Sequence, residues 1–354
     1  NGKPSGLVGI SGPQGLQNLP AESIEKVEVI TSPSARYGAE GTAGIINVVL
    51  RKDNLNGLNG NLVANGGIPE RYSGSLNVNY RIKKVNIFST NSILNNLNIG
   101  RISNDTEFFN NNEPNTFGSE LKRIEFGDKS LFSSLGVEFN IKEKTSLIIN
   151  SFLRTEDGVN RFKTQLDQFD STKLLVETTN LDEVNRDDDN AFQFSTNFDT
   201  EFKKGDKLTA VFQYEKNGEN ELSEIENTNP LRNERVEEFR DEKRVLLQAD
   251  YVLPFDDSSQ LEIGYRGSFL NQETDFSVFD YEGIIRDTLS NVLVYEEKIN
   301  SAYIQYGKSI KDFSFLLGMR VEDTEIIIKQ LTTEERNDQN YTKFFPTLNF
   351  SYKF

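Results

Sequence analysis

The chain has 354 residues, with 55 acidic against 39 basic side chains and a formal net charge of −16. That balance excludes the basic face a nucleic-acid binder needs. Cysteine and histidine are both absent, which removes disulfides, thiolate chemistry, Ser-His-Asp catalysis, histidine general bases and the usual zinc sites together.

No apolar run approaches the roughly 18 residues of a transmembrane helix. Hydrophobic residues make up only 36% of the chain, low for a soluble protein that must bury a large core. A transmembrane barrel escapes that objection, because only alternate residues of each strand need be apolar.

Residues 1–20 hold Gly2, Gly6, Gly9, Gly12 and Gly15 with Pro4 and Pro13. They read as loop, with a short helical turn expected near residues 14–19. Residues 19–51 then carry two β runs. The first, 26–30, alternates; the second, within 44–50, is Ile45-Ile46-Asn47-Val48-Val49-Leu50, nearly all apolar and mostly β-branched, which suits a strand buried on both faces. Pro33 sets a turn between them, and Gly38, Gly41 and Gly44 permit backbone that a Cβ would block. Taken alone this specifies a small, tight α/β unit. Residues 53–57 are a polar linker.

From residue 58 the pattern changes to long period-2 strands. Tyr72, Gly74, Leu76, Val78, Tyr80 and Ile82 share one face, opposite Ser73, Ser75, Asn77, Asn79 and Arg81. The same alternation is clean over 131–139, 192–202, 208–214, 245–251, 261–269, 313–321 and 348–354. It is less clean over 58–66, 85–94, 147–153 and 300–308. About twelve antiparallel strands follow, each long enough to cross a roughly 25 Å apolar band when tilted about 40°. Tyr72, Tyr80, Phe202, Tyr214, Tyr251 and Phe269 stand near strand ends, where an aromatic girdle lies. A soluble sandwich also alternates. It has no reason, however, to alternate short connections (82–84, 141–145, 203–206, 254–259, 309–312) with long ones (95–130, 154–190, 215–243, 271–297, 322–341). Only 68–71 breaks that rule.

Three ordered blocks in residues 24–50 go further. They are Ile24-Glu25-Lys26-Val27-Glu28-Val29, then Ser32-Pro33-Ser34-Ala35-Arg36-Tyr37-Gly38, then Gly41-Thr42-Ala43-Gly44-Ile45-Ile46-Asn47-Val48-Val49-Leu50. Together they resemble the end of the plug domain of TonB-dependent outer-membrane receptors, with Glu25, Glu28, Pro33, Arg36, Tyr37, Gly38, Gly41, Gly44 and Asn47 as the motif residues. The resemblance implies that 1–52 is the C-terminal part of a plug and 53–57 a linker. Residues 58–354 become the first half of a transmembrane β-barrel, about 12 antiparallel strands of a probable 22. Function would be TonB-dependent uptake of a nutrient such as a siderophore or peptide across the outer membrane. The alternative is a non-transporting outer-membrane barrel for adhesion or assembly, and a third is a soluble all-β carbohydrate-binding protein. The implied partners are outer-membrane lipid, the TonB complex and an unidentified ligand. Long loops would lie outside the cell and short turns in the periplasm. The Pro-Ser-Ala-Arg-Tyr-Gly wording departs from the polysaccharide-importing subgroup, which speaks against a surface-lipoprotein partner.

In that family, charged plug residues meet charges on the inner wall, so Glu25, Glu28 and Arg36 are expected to face inward charges among Arg81, Glu138, Asp199, Glu201, Glu262 and Arg266. No catalytic residue, cofactor or metal site is expected. Asp182-Glu183, Asp187-Asp188-Asp189 and Asn110–Asn112 lack the ligand order of a calcium loop, and charge runs stay hydrated. Adjacent pairs such as Glu237-Glu238 and Glu296-Glu297 point to opposite faces of a strand and cannot converge on a substrate. Finally, twelve strands leave little room for a plug. Residues 58–66 and 348–354 are therefore expected not to pair, and Phe354 is expected not to be the natural C-terminus.

Overall fold

The structure, a computed structural model, describes residues 24–30, 35, 45–50, 57–109, 115–202 and 205–353. Two strands, β1 (Ile24–Ile30) and β2 (Ile45–Leu50), form an antiparallel hairpin. The remaining strands are β3 (Gly57–Gly67), β4 (Arg71–Ile82), β5 (Val85–Phe108), β6 (Thr116–Lys142), β7 (Thr145–Phe169) and β8 (Leu175–Glu201), followed by β9 (Lys207–Asn227), β10 (Glu234–Asp256), β11 (Ser259–Phe279), β12 (Asn291–Ile310), β13 (Phe313–Gln330) and β14 (Glu335–Tyr352). These twelve make one sheet in which every strand pairs antiparallel with its sequence neighbours. β3 and β14 are its two edges and do not pair with each other. All twelve expected strands are present. Phe354 and the helical turn at 14–19 lie outside the described residues.

The long connections are where the sequence reading needs correction. Residues 95–130, 154–190, 215–243, 271–297 and 322–341 are mostly not loops. β6 and β8 each run for 27 residues and β7 for 25, whereas about ten suffice for the apolar band. The ladder continues register by register past the point where apolar alternation stops, for example Asp157↔Asp188 and Asp188↔Asn220. Main-chain pairing does not depend on side-chain polarity; the sequence signal for a strand does. Among the described residues, the connections left between strands at that end are short: residues 68–70, 170–174, 228–233, 280–290 and 331–334. The opposite end is shorter still, with two-residue turns at 83–84, 143–144, 257–258 and 311–312.

The sheet is inverted relative to a soluble protein. Among the described residues twenty polar or charged residues are buried against nine apolar ones. In β10 the buried row is Glu242, Leu246, Gln248 and Asp250, while the intervening Leu247 is exposed. Partners in register keep the two faces separate. Asp250 opposes Gly264, which opposes Tyr303, which opposes Arg320. On the other face Leu62, Leu76, Leu135, Leu247, Ile304 and Leu317 are exposed to their surroundings. Water would penalise that arrangement, and hydrocarbon favours it. Tyr72, Tyr80, Phe202, Tyr214, Tyr251 and Phe269 all fall on the apolar face.

Strand β5 explains one of the weaker sequence patterns. Ser89 and Asn91 sit on the apolar face, but they satisfy one another and the neighbouring strand. Asn91 Nδ2 donates to Ser89 Oγ at 2.9 Å, Ser133 Oγ to Asn91 Oδ1 at 2.7 Å, and Ser89 Oγ to the Ser134 carbonyl at 2.9 Å. The network removes most of the cost of polar groups in that setting.

The face assignment predicts an asymmetric pair. Val78→Arg, on the apolar face, is expected to cost about 2–4 kcal/mol of folding stability in lipid vesicles. Asn77→Arg, on the polar face, is expected to be tolerated. Denaturant titration of the refolded variants measures both, and equal costs would contradict the assignment.

Candidate functional site

The polar face is the candidate site, because it carries the buried charge and the motif-bearing hairpin rests on it. β1 and β2 pair as Glu28↔Asn47, Val27↔Val48 and Val29↔Ile46. The hairpin is anchored by one side: Ile24 and Val48 pack against a buried cluster of Phe132 on β6, Phe152 on β7 and Ala191 on β8. The two phenylalanine rings lie 5.6 Å apart between centroids. Val27, Val29 and Ile46 remain exposed. The β-branched run therefore does not mark a strand buried on both faces; a two-stranded ribbon has neighbours on one side only.

Of the motif residues, Glu28 is engaged inside the hairpin. Its Oε2 accepts from Asn47 Nδ2 at 2.7 Å, and its Oε1 lies 2.5 Å from Lys26 Nζ. These bonds hold the Glu28 carboxyl below its ordinary range, with Lys26 as the larger cause. Glu25 is on the same strand. Pro33, Arg36, Tyr37, Gly38, Gly41 and Gly44 lie outside the described residues. Ala35, between them, is buried, and its carbonyl accepts from Arg320 Nη1 on β13 at 3.4 Å.

The six expected inward charges do face inward, but those with identified partners pair across strands. Arg81 on β4 meets Glu138 on β6 at 3.2 Å. Asp199 accepts from Thr209 at 2.9 Å and Glu262 from Gln305 at 2.6 Å. Glu201 pairs with Lys144. Arg266 opposes Gln248 and Ser301 on the same face.

Above the apolar band the inward face is acidic. Asp128, Asp187, Asp189, Glu219, Glu221 and Glu238 come together from β6, β8, β9 and β10. Arg240 lies 2.9 Å from Glu219 and also pairs with Glu238; Arg154 lies 3.9 Å from Asp189. Burial, then the charges of Glu221, Asp189, Glu219 and Asp128, push the Asp187 carboxyl up to about 7. Burial also raises Glu219, outweighing Arg240. On the outward side at the same level a cleft of about 530 Å³ crosses β7–β11, and Asp157, Asp188, Leu222 and Phe239 of its lining share the face of Leu247. The alternation separates adjacent carboxylates as expected: Glu237 pairs with Arg235, whereas Glu238 joins Arg240. Glu296 meets Lys329 at 2.7 Å, and Glu297 accepts from Tyr295 at 2.8 Å. Among the described residues no group of three or more acidic side chains is arranged to hold a metal ion; residues 110–112 lie outside them.

Residues 196–354 match the Outer membrane protein beta-barrel family. No curated protein matches the chain. Among solved structures, the ferric-catecholate import receptor Fiu from E. coli in its open form is similar over 92% of this chain and 70% of its own, at 12% identity and a TM-score of 0.37. The ferric yersiniabactin uptake receptor FyuA from Yersinia pestis is similar over 92% and 67%, at 9% identity and a TM-score of 0.36. The outer membrane protease OmpT from Escherichia coli is similar over 76% and 96%, at 10% identity and a TM-score of 0.28. Likenesses this slight carry no weight on function.

Asp187 gives a pH dependence whose sign is fixed. Its folded pKa lies above its ordinary value of 3.8, so the stabilising contribution is full below about pH 4 and is lost as pH rises through 7. Thermal unfolding of the refolded protein between pH 4 and 8 should show declining stability that Asp187→Asn flattens. Identical slopes for the two proteins would contradict this electrostatic account.

An inward face built from buried polar rows, an outward face of exposed apolar ones and the family match over residues 196–354 together give this chain the architecture of an outer-membrane β-barrel sheet.

Proposed function

We propose that this chain is part of a TonB-dependent transporter that takes up a scarce nutrient across the outer membrane. Residues 1–52 would form the end of a plug, 53–57 a linker and 58–354 the first half of the surrounding barrel. The observation that carries the reading is the position of the hairpin. The hairpin of Ile24–Ile30 and Ile45–Leu50 rests through Ile24 and Val48 on the polar face, against Phe132, Phe152 and Ala191, and not on the apolar face. Apolar side chains at inward positions make sense only if something dry covers them. A hairpin held inside a barrel does so. The reaction is then transport: the plug blocks the passage, the acidic mouth and outer connections meet the ligand, and energy comes from the TonB complex. Siderophore, peptide and other scarce ligands all fit this role.

The orientation follows from the ladder extensions, which would project outside the cell, leaving the two-residue turns in the periplasm. Trypsin added to intact cells is expected to cut after Lys173 and Arg232, both exposed on connections of the long end, and to spare Lys144. Cutting at Lys144 alone would invert the topology.

Uptake itself is tested by deleting the gene and growing cells under limitation of individual nutrients. One nutrient should fail to support growth, with rescue by the wild-type gene only while the TonB complex is intact. Loss of surface attachment or of envelope assembly, with all uptake unchanged, would favour the adhesion or assembly reading.

A further inference from the structure

Beyond the acidic level the inward face turns apolar again. Phe126 on β6 and Phe162 on β7 meet edge to face, 5.5 Å apart between centroids. Lys122 Nζ already sits 4.5 Å from the centre of the Phe162 ring, while Phe126 is 39% exposed. Asn160 on β7 opposes both Phe126 and Asn185 in register. Two residues down each strand, the inward row across β6–β10 reads Asp128, Gly158, Asp187, Glu221 and Glu238. Glu238 pairs with Arg240. Among the described residues no lysine or arginine pairs with Asp128, Asp187 or Glu221.

Amides stand where basic partners would. Asn160 Nδ2 donates to Asp187 Oδ2 at 2.8 Å, and Asn185 Nδ2 donates to Glu221. With both nitrogens spent on carboxylates, Asn160 Oδ1 and Asn185 Oδ1 are buried without a partner. Asn217 repeats the pattern four residues from Glu221 on the same face of β9, about 13 Å away at about 3.3 Å per residue. It is 3% exposed, its Nδ2 donates to Glu242 on β10 at 3.3 Å, and its Oδ1 has no partner. Because the nitrogen is turned to β10, that oxygen is turned to the β8 side, beneath the carboxylates.

Buried polar atoms are nearly always hydrogen-bonded, so an unmet one calls for a cause. The unmet amide atoms here are all acceptors, and they surround carboxylates that repel one another across adjacent strands. A single missing group answers both conditions: a cation that brings its own N–H donors. Among the described residues no acidic group is arranged to hold a metal ion. The exposed Phe126 ring suits an organic cation instead, since a π face attracts its charge and covers its apolar body.

We propose that Asp187 and Glu221, with the amide oxygens of Asn160, Asn185 and Asn217 and the ring of Phe126, bind an extended organic cation: an ammonium or guanidinium group on an apolar body, as in a basic peptide. This deepens the transporter reading and rests on it, the cation being the part of the ligand that the mouth recognises. The carboxylates take the charged donors, for which a guanidinium fork is well shaped. Asn217, lower on the wall, takes an N–H from the body of the same ligand.

The test titrates the full-length protein in detergent micelles with the peptide N-acetyl-Phe-Arg-Ala-Ala amide or with its citrulline analogue, which has the same shape and no charge. The arginine peptide should bind about tenfold tighter, the difference expected for a charge-assisted hydrogen bond. Asp187→Asn and Glu221→Gln should each weaken the arginine peptide severalfold and leave the weaker binding of the analogue unchanged. Phe126→Leu, which keeps apolar area and removes the π face, should also weaken the arginine peptide. Asp188→Asn is the control: that carboxylate is the next residue along β8 and faces outward, so it should change nothing. Equal affinity for the two peptides, or none for either, would overturn the site. So would equal losses from Asp187→Asn and Asp188→Asn, which would assign the attraction to the general field of an acidic protein. Asp187→Asn relieves repulsion in the folded state, so its result stands if Glu221→Gln fails to fold. Binding needs neither the TonB complex nor transport, so a bound peptide in a protein without any uptake role would count against transport alone.

Discussion

Backbone N–H and C=O groups facing hydrocarbon have no water to bond, so each must find its partner on an adjacent strand. The twelve-stranded antiparallel ladder meets that constraint from β4 to β13, and it fixes the side chains at the same time. Successive residues must point to opposite faces. A slip of one residue would turn every polar row outward. The unbroken register from Asp250 through Gly264 and Tyr303 to Arg320 is thus the device that keeps charge in and apolar surface out.

Burying so much polarity on the inward face is possible because the charges are shared between strands. Arg81 reaches Glu138 across β5, and Tyr303 donates to Asp250 across β11 at 2.5 Å. Glycine makes room for the second of these: a Cβ at Gly264 would collide with the Tyr303 ring. The same face leaves a few places apolar, at Phe132 and Phe152, and a few places notched, at Gly318. Ile24 and Val48 touch the first of these, and Ala35 the second. Further out, where the ladder clears the apolar band, carboxylates outnumber their arginine partners, and burial together with those neighbouring charges pushes Asp187 up to about 7.

Much of this was legible in the chain. Period-2 alternation located every strand of the sheet and assigned Val78 and Asn77, and Arg81 and Glu138, to the faces they occupy. It failed where side-chain polarity stops reporting on backbone pairing. Residues 182–190 are acidic on both faces, so nothing in them marks β8, yet their main chain is paired throughout. Strand β7 looked irregular because Ile148 and Phe152 are apolar at inward positions. In the structure Phe152 is half of the hairpin's seat. An apolar residue out of phase in a barrel strand was therefore the available signal for plug contact. The approach of Ala35 to β13 had no such signal, because it depends on a missing side chain at Gly318 opposite a residue 283 positions earlier.

The central claim, that this sheet is apolar outward and polar inward across a bilayer, can be measured along a single strand. The chain has no cysteine, so spin labels can be placed one at a time at residues 245–253 of β10 in lipid vesicles. Collision with dissolved oxygen and with a water-soluble nickel chelate then reports the surroundings of each site. The account predicts a strict period of two, with oxygen accessibility peaking at Leu247, Ala249 and Tyr251 and falling at Leu246, Gln248 and Asp250. Equal accessibility to the nickel chelate at both sets would place the strand in water and contradict the account.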